Sequence, residues 1–501
     1  MLLSAGSLDS AFTGGTYTYT ASVTNATSTL TVTPAAAAAS DTIAVSVNGG
    51  APQAVASHAA SAPLALKVGD NTVEVTVTAL NGTQHTYTVT VTRAGSGSTP
   101  GAPDSKPFID LNGSMLDPGT IDIAKPSVTL EVEPKNGTAY ASIPAGILAE
   151  IASKNSAFLI EIRTPYGSYQ VPVNLASLIP ELAQWLATHN LKADEISFKI
   201  TLTDKSEDKG IQAAFAGGLP NGSVRGAIVD FRLDVFDTRT GNPIGTADKF
   251  NQALARIIPM PKNMTSMPQQ WGAFRYNETT KQFEFVPARK VQIDGIWYVT
   301  IQSNSNSVYV VADNPVRFAD MQKHWGQSYV DLAAAKGLVH GVGGGRYDPE
   351  KAVTRAEFTA MLVRALGRST SAGSTAPYSD VKPGEWYFGE VAAAKDLGLL
   401  DFAKGNRFNP NKPLTREEMA SILAAAVSLE QLPATEEEVS MDGYKDIGSV
   451  DAAYLEDVRF MVELHIMKGT SADTFSPKDT TTRAQAAVVF IRTLQTLGKI
   501  D

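Results

Sequence analysis

The chain has 501 residues, 43% of them hydrophobic and 19% charged, with a formal net charge of −9 and no cysteine. This is enough apolar material for several cores, two to four domains at about 150 residues each, and it excludes wholesale disorder. The acidic balance excludes a general nucleic-acid binder, and the missing thiols exclude disulfides, thiolate metal sites and cysteine nucleophiles.

Residues 1–94 carry only Lys67 and Arg93 as strong cations and are rich in Thr, Val, Ala and Ser. Alternating β-branched runs at 17–23, 28–32, 42–47, 71–77 and 85–92, separated by Asn-Gly-Gly, Gly-Asp-Asn and Asn-Gly, predict antiparallel strands joined by turns. Their order, the Ala-rich stretch 35–39 and the closing Tyr87-Thr-Val-Thr-Val-Thr-Arg93 resemble the bacterial cadherin-like β-sandwich, which implies a spacer or display module. Residues 95–106 read as a Gly/Ser/Pro linker. From 107 to 315, runs at 127–132, 157–163, 196–202, 227–236, 297–301 and 308–312 predict strands, and 147–152 and 178–187 predict short helices. This middle region is expected to be α+β. Asp110–Asp117 reads as a turn rather than a calcium loop. Trp271, Phe274 and Tyr276 read as core rather than as a sugar-stacking strip. Glu436-Glu-Glu438 reads as a solvated loop.

The strongest pattern is a threefold internal repeat. Arg355, Arg416 and Arg483 each follow a proline by six residues (Pro349, Pro410, Pro477), and Gly337, Gly398 and His465 each precede that proline by twelve. Each copy opens on an aromatic-x-Asp triplet: Phe318-Ala-Asp320, Tyr378-Ser-Asp380 and Tyr444-Lys-Asp446. Every copy reads as helix–loop–helix, and one copy is too small to bury its apolar stripe alone. Thr354-Arg-Ala-Glu357, Thr415-Arg-Glu-Glu418 and Thr482-Arg-Ala-Gln485 are capping boxes that set one arginine at the first position of each second helix. There a guanidinium, free N–H groups and the helix dipole together suit a carboxylate or phosphate. Alternatively, each arginine pairs within the fold, with the recurring aspartate as a candidate partner.

Phe318-Ala-Asp-Met-Gln-Lys-His-Trp325, Gly345-Arg-Tyr-Asp-Pro349 and Val353-Thr-Arg-Ala-Glu-Phe358 resemble the S-layer homology domain, and the later copies extend the likeness over 316–501 (316–376, 377–441 and 442–501). The resemblance implies an all-α, pseudo-threefold helical bundle that binds a secondary cell-wall polysaccharide, typically pyruvylated, in grooves between copies. It also implies that Arg355, Arg416 and Arg483 take the ketal carboxylate, that Asp320, Asp380 and Asp446 organise or line the grooves, and that Trp325 and Trp386 form aromatic walls. The third copy departs from this pattern with Ala453-Tyr454, His465 and Gln485, and the second with Phe402 where Gly341 and Gly469 stand. The first groove is therefore expected to be the most competent. Residues 316–501 hold 21 Lys plus Arg against 25 Asp plus Glu, so an anionic polymer must be held by placed arginines and stacking rather than by a diffuse positive field.

The expected chain is thus a multi-domain bacterial surface protein: an N-terminal all-β sandwich, a middle α+β region and a helical triplet that anchors it non-covalently to the wall. It reads as an anchor, not an enzyme. No metal or cofactor is expected, because none of the six histidines has a ligand-type partner at helical spacing. Self-association in a surface layer is a further expected partnership. No run approaches the length of a membrane span, and Met1-Leu-Leu-Ser4 lacks the charged and apolar segments of a leader, so an exported protein whose leader is not in this chain is expected. The alternative is a wall-tethered glycan hydrolase with its activity in 107–315.

Overall fold

The computed structural model describes the chain except residues 6, 7, 9–11, 24–26, 37, 39, 94–106, 368–375, 404, 431 and 433–439. The expected linker at 95–106, part of the Ala-rich stretch and Glu436-Glu-Glu438 lie outside the described residues. The chain divides into two compact units, Met1–Lys106 and Pro107–Asp501.

In the first unit a five-stranded sheet runs in the order Thr18–Val23, Gln84–Arg93, Gly69–Thr78, Thr42–Val47, Gln53–Val55. Two short pairs, Leu2–Leu3 with Val32–Thr33 and Thr29–Leu30 with Leu64–Ala65, complete it. The alternation read from sequence is the alternation of burial: Tyr19, Ala21 and Val23 point inward with Val73, Val75, Val89 and Val91. One expectation fails. Thr18–Val23 pairs parallel, not antiparallel, with Gln84–Arg93, because strands from opposite ends of a domain need no hairpin between them.

In the second unit the region from 107 to 313 forms two sheets around one core. The larger runs Ser114–Leu116, Ile109–Leu111, Thr138–Pro144, Ile196–Asp204, Ser223–Asp237, Ser307–Asp313, Trp271–Asn277, Gln282–Val286, with Pro243–Thr246 beside Ser223–Asp237. The smaller runs Ser127–Glu131, Leu159–Thr164, Gly167–Pro172, Lys249–Pro259, Ile296–Ser305, Ala288–Ile293. Helices α1 (Ala145–Lys154), α2 (Leu182–His189) and α3 (Lys209–Gly218) are short additions. The α+β expectation thus resolves into a sheet-on-sheet sandwich: Ile160, Tyr169 and Val299 of one sheet meet Phe198, Leu233 and Val311 of the other. Asp110–Asp117 contains a hairpin turned by Asn112 and Gly113, both at positive φ. Trp271, Phe274 and Tyr276 are buried.

The three repeats supply α4 (Gln327–Ala335), α5 (Arg355–Ala365), α6 (Phe388–Asp396), α7 (Arg416–Leu429), α8 (Leu455–Glu463) and α9 (Arg483–Thr496). The copies interlace. Each first helix packs on the second helix of the preceding copy, α6 on α5, α8 on α7 and α4 on α9. The ring so closed buries stripes that no single copy can cover.

The triplet also seats on the sandwich. α4 meets strand Trp271–Asn277 and α5 meets Gln282–Val286. Asn314 Nδ2 donates to the Ala335 carbonyl at 3.0 Å, and the Lys336 ammonium lies 4.3 Å from the centre of the Trp271 ring. A Cβ at Gly272 would stand 3.0 Å from the Ala335 oxygen and 2.7 Å from the Phe274 ring, so this approach requires glycine.

Candidate functional site

The three capping boxes form as read. Thr354, Thr415 and Thr482 each accept the N–H of the third helical residue, and Glu357, Glu418 and Gln485 each accept the N–H of the capping threonine. The expectation of free N–H groups at these helix mouths is overturned. The Arg355, Arg416 and Arg483 main-chain N–H groups donate to the carbonyls of Lys412, Asp479 and Lys351 at 2.9–3.0 Å. The next N–H groups, of Ala356, Glu417 and Ala484, donate to Pro410, Pro477 and Pro349. This explains why the position recurs at fixed spacing: its carbonyl caps the helix of the preceding copy. With these donors used, an anion has no helix mouth to occupy.

The arginine side chains continue the same ring, each reaching into the next copy. Arg355 is bidentate to Glu418, with its closest contact 2.6 Å, and donates to the Phe408 carbonyl at 2.7 Å. Arg416 donates to the Phe475 and Lys468 carbonyls at 3.0 and 2.8 Å. Arg483 donates to the Tyr347 and His340 carbonyls at 2.9 and 2.6 Å. Each guanidinium also lies within about 5 Å of an aromatic ring centre (Phe402, Phe475 and Tyr347 respectively), the range of a cation–π contact. Arg355 and Arg416 are buried, whereas Arg483 stays half-exposed. Burial pushes the Arg416 guanidinium down from its ordinary value against the pull of Asp479.

The difference between grooves has a cause in sequence. A Cβ at Gly341 would stand 2.7 Å from the Phe318 ring, and one at Gly469 2.5 Å from the Tyr444 ring, so those copies keep a bare backbone there. The second copy places Phe402 at this register. Its ring is buried, 6.3 Å from Phe408 and 5.0 Å from the Arg355 guanidinium. Phe402 and Glu418 close in the arginine of the first copy. The third-copy Arg483 instead meets the first copy at the His340 carbonyl, next to Gly341, which brings no aromatic side chain of its own. Trp325 is 61% exposed. A Cβ on the adjacent Gly326 would lie 3.7 Å from the Cβ of Ala484, which puts Trp325 at the start of α9. Trp386 is also exposed, at the start of α6, and Ala453 leaves the third copy without an equivalent.

The aspartates do not pair with the repeat arginines. Asp320 accepts the N–H groups of Tyr347 and Asp348, Asp380 those of Phe408 and Asn409, and Asp446 those of Phe475 and Ser476, all at 2.6–2.9 Å. The second residue of each pair has φ near +60°. Each carboxylate therefore clamps a left-handed turn and aims the preceding carbonyl at the incoming arginine. Burial raises the Asp320 and Asp380 carboxyls, but the paired N–H groups and Arg346 or Arg407 outweigh it, and both end below the ordinary value. Asp380→Ala is expected to lower stability by about 2 kcal/mol, from loss of two charge-assisted hydrogen bonds, read by urea unfolding. The contribution of Asp320 and Asp380 is complete above the unfolded carboxyl pKa of about 4 and is lost as pH falls through their lower folded values.

Sequence reading singled out Phe402 as a departure but missed the Arg355–Glu418 pair and that Phe402 covers the first-copy arginine. Among the described residues no cluster of three or more His, Cys, Asp or Glu side chains is arranged to hold a metal. No described helix is long and apolar enough to cross a membrane.

Residues 3–94 match the family model for the cadherin-like beta sandwich domain, and residues 317–359, 377–420 and 443–487 match that for the S-layer homology domain. Among curated proteins, an amylopullulanase of Thermoanaerobacterium thermosulfurigenes is 30% identical over 252 residues, 50% of this chain and 13% of that protein. An exoglucanase, XynX, of Acetivibrio thermocellus is 33% identical over 37% of this chain and 17% of its own length. An S-layer protein of Bacillus thuringiensis subsp. finitimus is 32% identical over 35% of this chain and 21% of its own. The chain thus spans no more than about a fifth of these relatives. It is a surface protein of the extracellular, wall-associated class, with one cadherin-like β-sandwich domain followed, after the middle sandwich, by three S-layer homology domains.

Proposed function

We propose that the triplet anchors this chain to the wall by binding an anionic secondary cell-wall polysaccharide, of which a pyruvylated sugar is the best-fitting unit, where Trp325, Gly341 and Arg483 meet. The observation that carries the reading is that Arg483 is only partly buried and Trp325 is exposed, on backbones that approach each other at Gly326 and Ala484, while Arg355 and Arg416 are buried. Arg483 keeps donor capacity beyond its two carbonyls, and the Trp325 face offers a platform for a sugar ring. Asp320, Asp380 and Asp446 act as organisers of the arginine-facing turns, and Trp386 is a second platform beside a filled groove. The test is co-sedimentation of the full chain with purified sacculi. Arg483→Gln with Trp325→Ala is expected to weaken binding at least tenfold, and Trp325→Ala alone, which breaks none of the ring's hydrogen bonds, to weaken it severalfold with little change in melting temperature. If the double variant sediments like the parent, the groove assignment is wrong.

The hydrolase names among the relatives favour a second reading, in which 107–315 carries a glycan hydrolase tethered by the triplet. Incubating the full chain with wall polysaccharide and measuring released reducing ends tests it. Absence of turnover removes this reading and leaves the anchor.

A further inference from the structure

A cavity of about 440 Å³ opens where the end of α9 meets strands Ala288–Ile293 and Ile296–Ser305 of the middle sandwich, a size that suits a small ligand. Its lining includes three cations (Arg289, Lys290 and Lys499), the Thr300 hydroxyl and the Gln302 amide, with the Asp501 and Glu430 carboxylates paired to the cations at the rim. The sandwich contributes the first two cations and the triplet the third, so the cavity belongs to neither part alone.

Two of these cations are held at the rim, while Arg289 is not tightly engaged. Lys499 pairs with Glu430 at 3.0 Å, and Lys290 pairs with Asp501 at 3.4 Å and sits 5.6 Å from the Trp271 ring centre. The Arg289 side chain is 63% exposed, and its ion pair with Asp501 is long, at 3.9 Å. The dipole of α9 favours a cation at its C-terminal end. That accounts for Lys499 but not for two further cations on a neighbouring strand. The Asp501 side chain shows what the rim accepts. Its carboxylate takes the Lys290 main-chain N–H at 3.2–3.3 Å and stands among the same cations.

We propose that this cavity is a second anion site, separate from the Arg483 groove, for a carboxylate-bearing saccharide such as a uronate. The acid group lies on Arg289 and takes the place of the Asp501 side chain beside Lys290, and the sugar hydroxyls meet Thr300 and Gln302. Because both parts of the unit supply the lining, a bound saccharide also ties the sandwich to the triplet.

The test uses the full chain with Arg483→Gln and Trp325→Ala, so that the proposed wall groove does not contribute. Calorimetric titration with trigalacturonic acid is expected to show binding that weakens with added salt, with neutral maltotriose as the comparison. Adding Arg289→Glu is expected to reduce affinity at least tenfold, and Gln302→Ala severalfold, with melting temperatures of the unliganded proteins unchanged. No binding of trigalacturonic acid, equal binding of maltotriose, or affinity unchanged by both Arg289→Glu and Gln302→Ala each overturns the proposal. Failure of the groove reading shows separately, as unaltered sedimentation with sacculi.

Discussion

Glu418→Ala is expected to destabilise the 107–501 unit by about 3–5 kcal/mol, the cost of leaving a buried charge without its partner. The Arg355 and Glu418 side chains are 8% and 6% exposed. Glu418 also receives the Lys412 ammonium at 2.9 Å and closes the capping box of α7. Without its carboxylate, Arg355 is left with the Phe408 carbonyl and the Phe402 ring inside a filled groove. Arg355→Met with Glu418→Met is expected to recover much of the loss, because two apolar side chains need no partner. Guanidinium unfolding of Arg355→Met, Glu418→Met and the double variant measures the coupling. A single-variant cost under about 1 kcal/mol would return Arg355 to the candidates for ligand binding, since an enclosed ion pair cannot be that cheap to break. Burial raises the Glu418 carboxyl, but Arg355 and Lys412 overcome it and hold it below its ordinary value. The pair's contribution is therefore complete above the unfolded glutamate pKa of about 4.3 and is lost as pH falls through the lower folded value.

This pair also marks the limit of what was legible in the sequence. Helix starts and caps follow from local rules, because a capping box and an apolar stripe are satisfied within a few residues. The strand runs were legible for the same reason. The fate of the arginines was not, since their partners stand 52 to 143 residues away: Glu418, Lys468, and Tyr347 with His340. A guanidinium at a helix start looks alike in sequence whether it faces solvent or a neighbouring carbonyl. Two signals in the sequence bear on the choice. The constant proline offset points to a backbone role for the loop that carries it. Phe402 in place of glycine predicts that one groove differs. The parallel pairing of Thr18–Val23 and the two-sheet form of the middle region are long-range outcomes that period-two runs leave open.

Lys336→Met is expected to raise stability at pH 7 by about 1–3 kcal/mol, the range seen when a buried charge gives way to a packed apolar side chain. Lys336 is 3% exposed at the seam between α4 and strand Trp271–Asn277. Its ammonium has the Trp271 ring at 4.3 Å and the Trp271 carbonyl at 3.4 Å. Burial lowers its pKa to about 8, with Asp501 opposing and Lys290 adding to the drop. An unfolded lysine titrates near 10.4. Between these values the unfolded chain binds more protons, so stability rises with pH across that window and is flat below it. At pH 7 the folded protein therefore carries the full burden of a buried ammonium, partly offset by the cation–π contact. The methionine variant has no proton to lose. Its advantage is expected to be constant up to about pH 8 and to shrink towards pH 10, as measured by urea unfolding at each pH. An advantage that does not change between pH 7 and pH 10 would mean that Lys336 reaches solvent, and that the triplet sits more loosely on the sandwich than the Asn314–Ala335 and Gly272 contacts require.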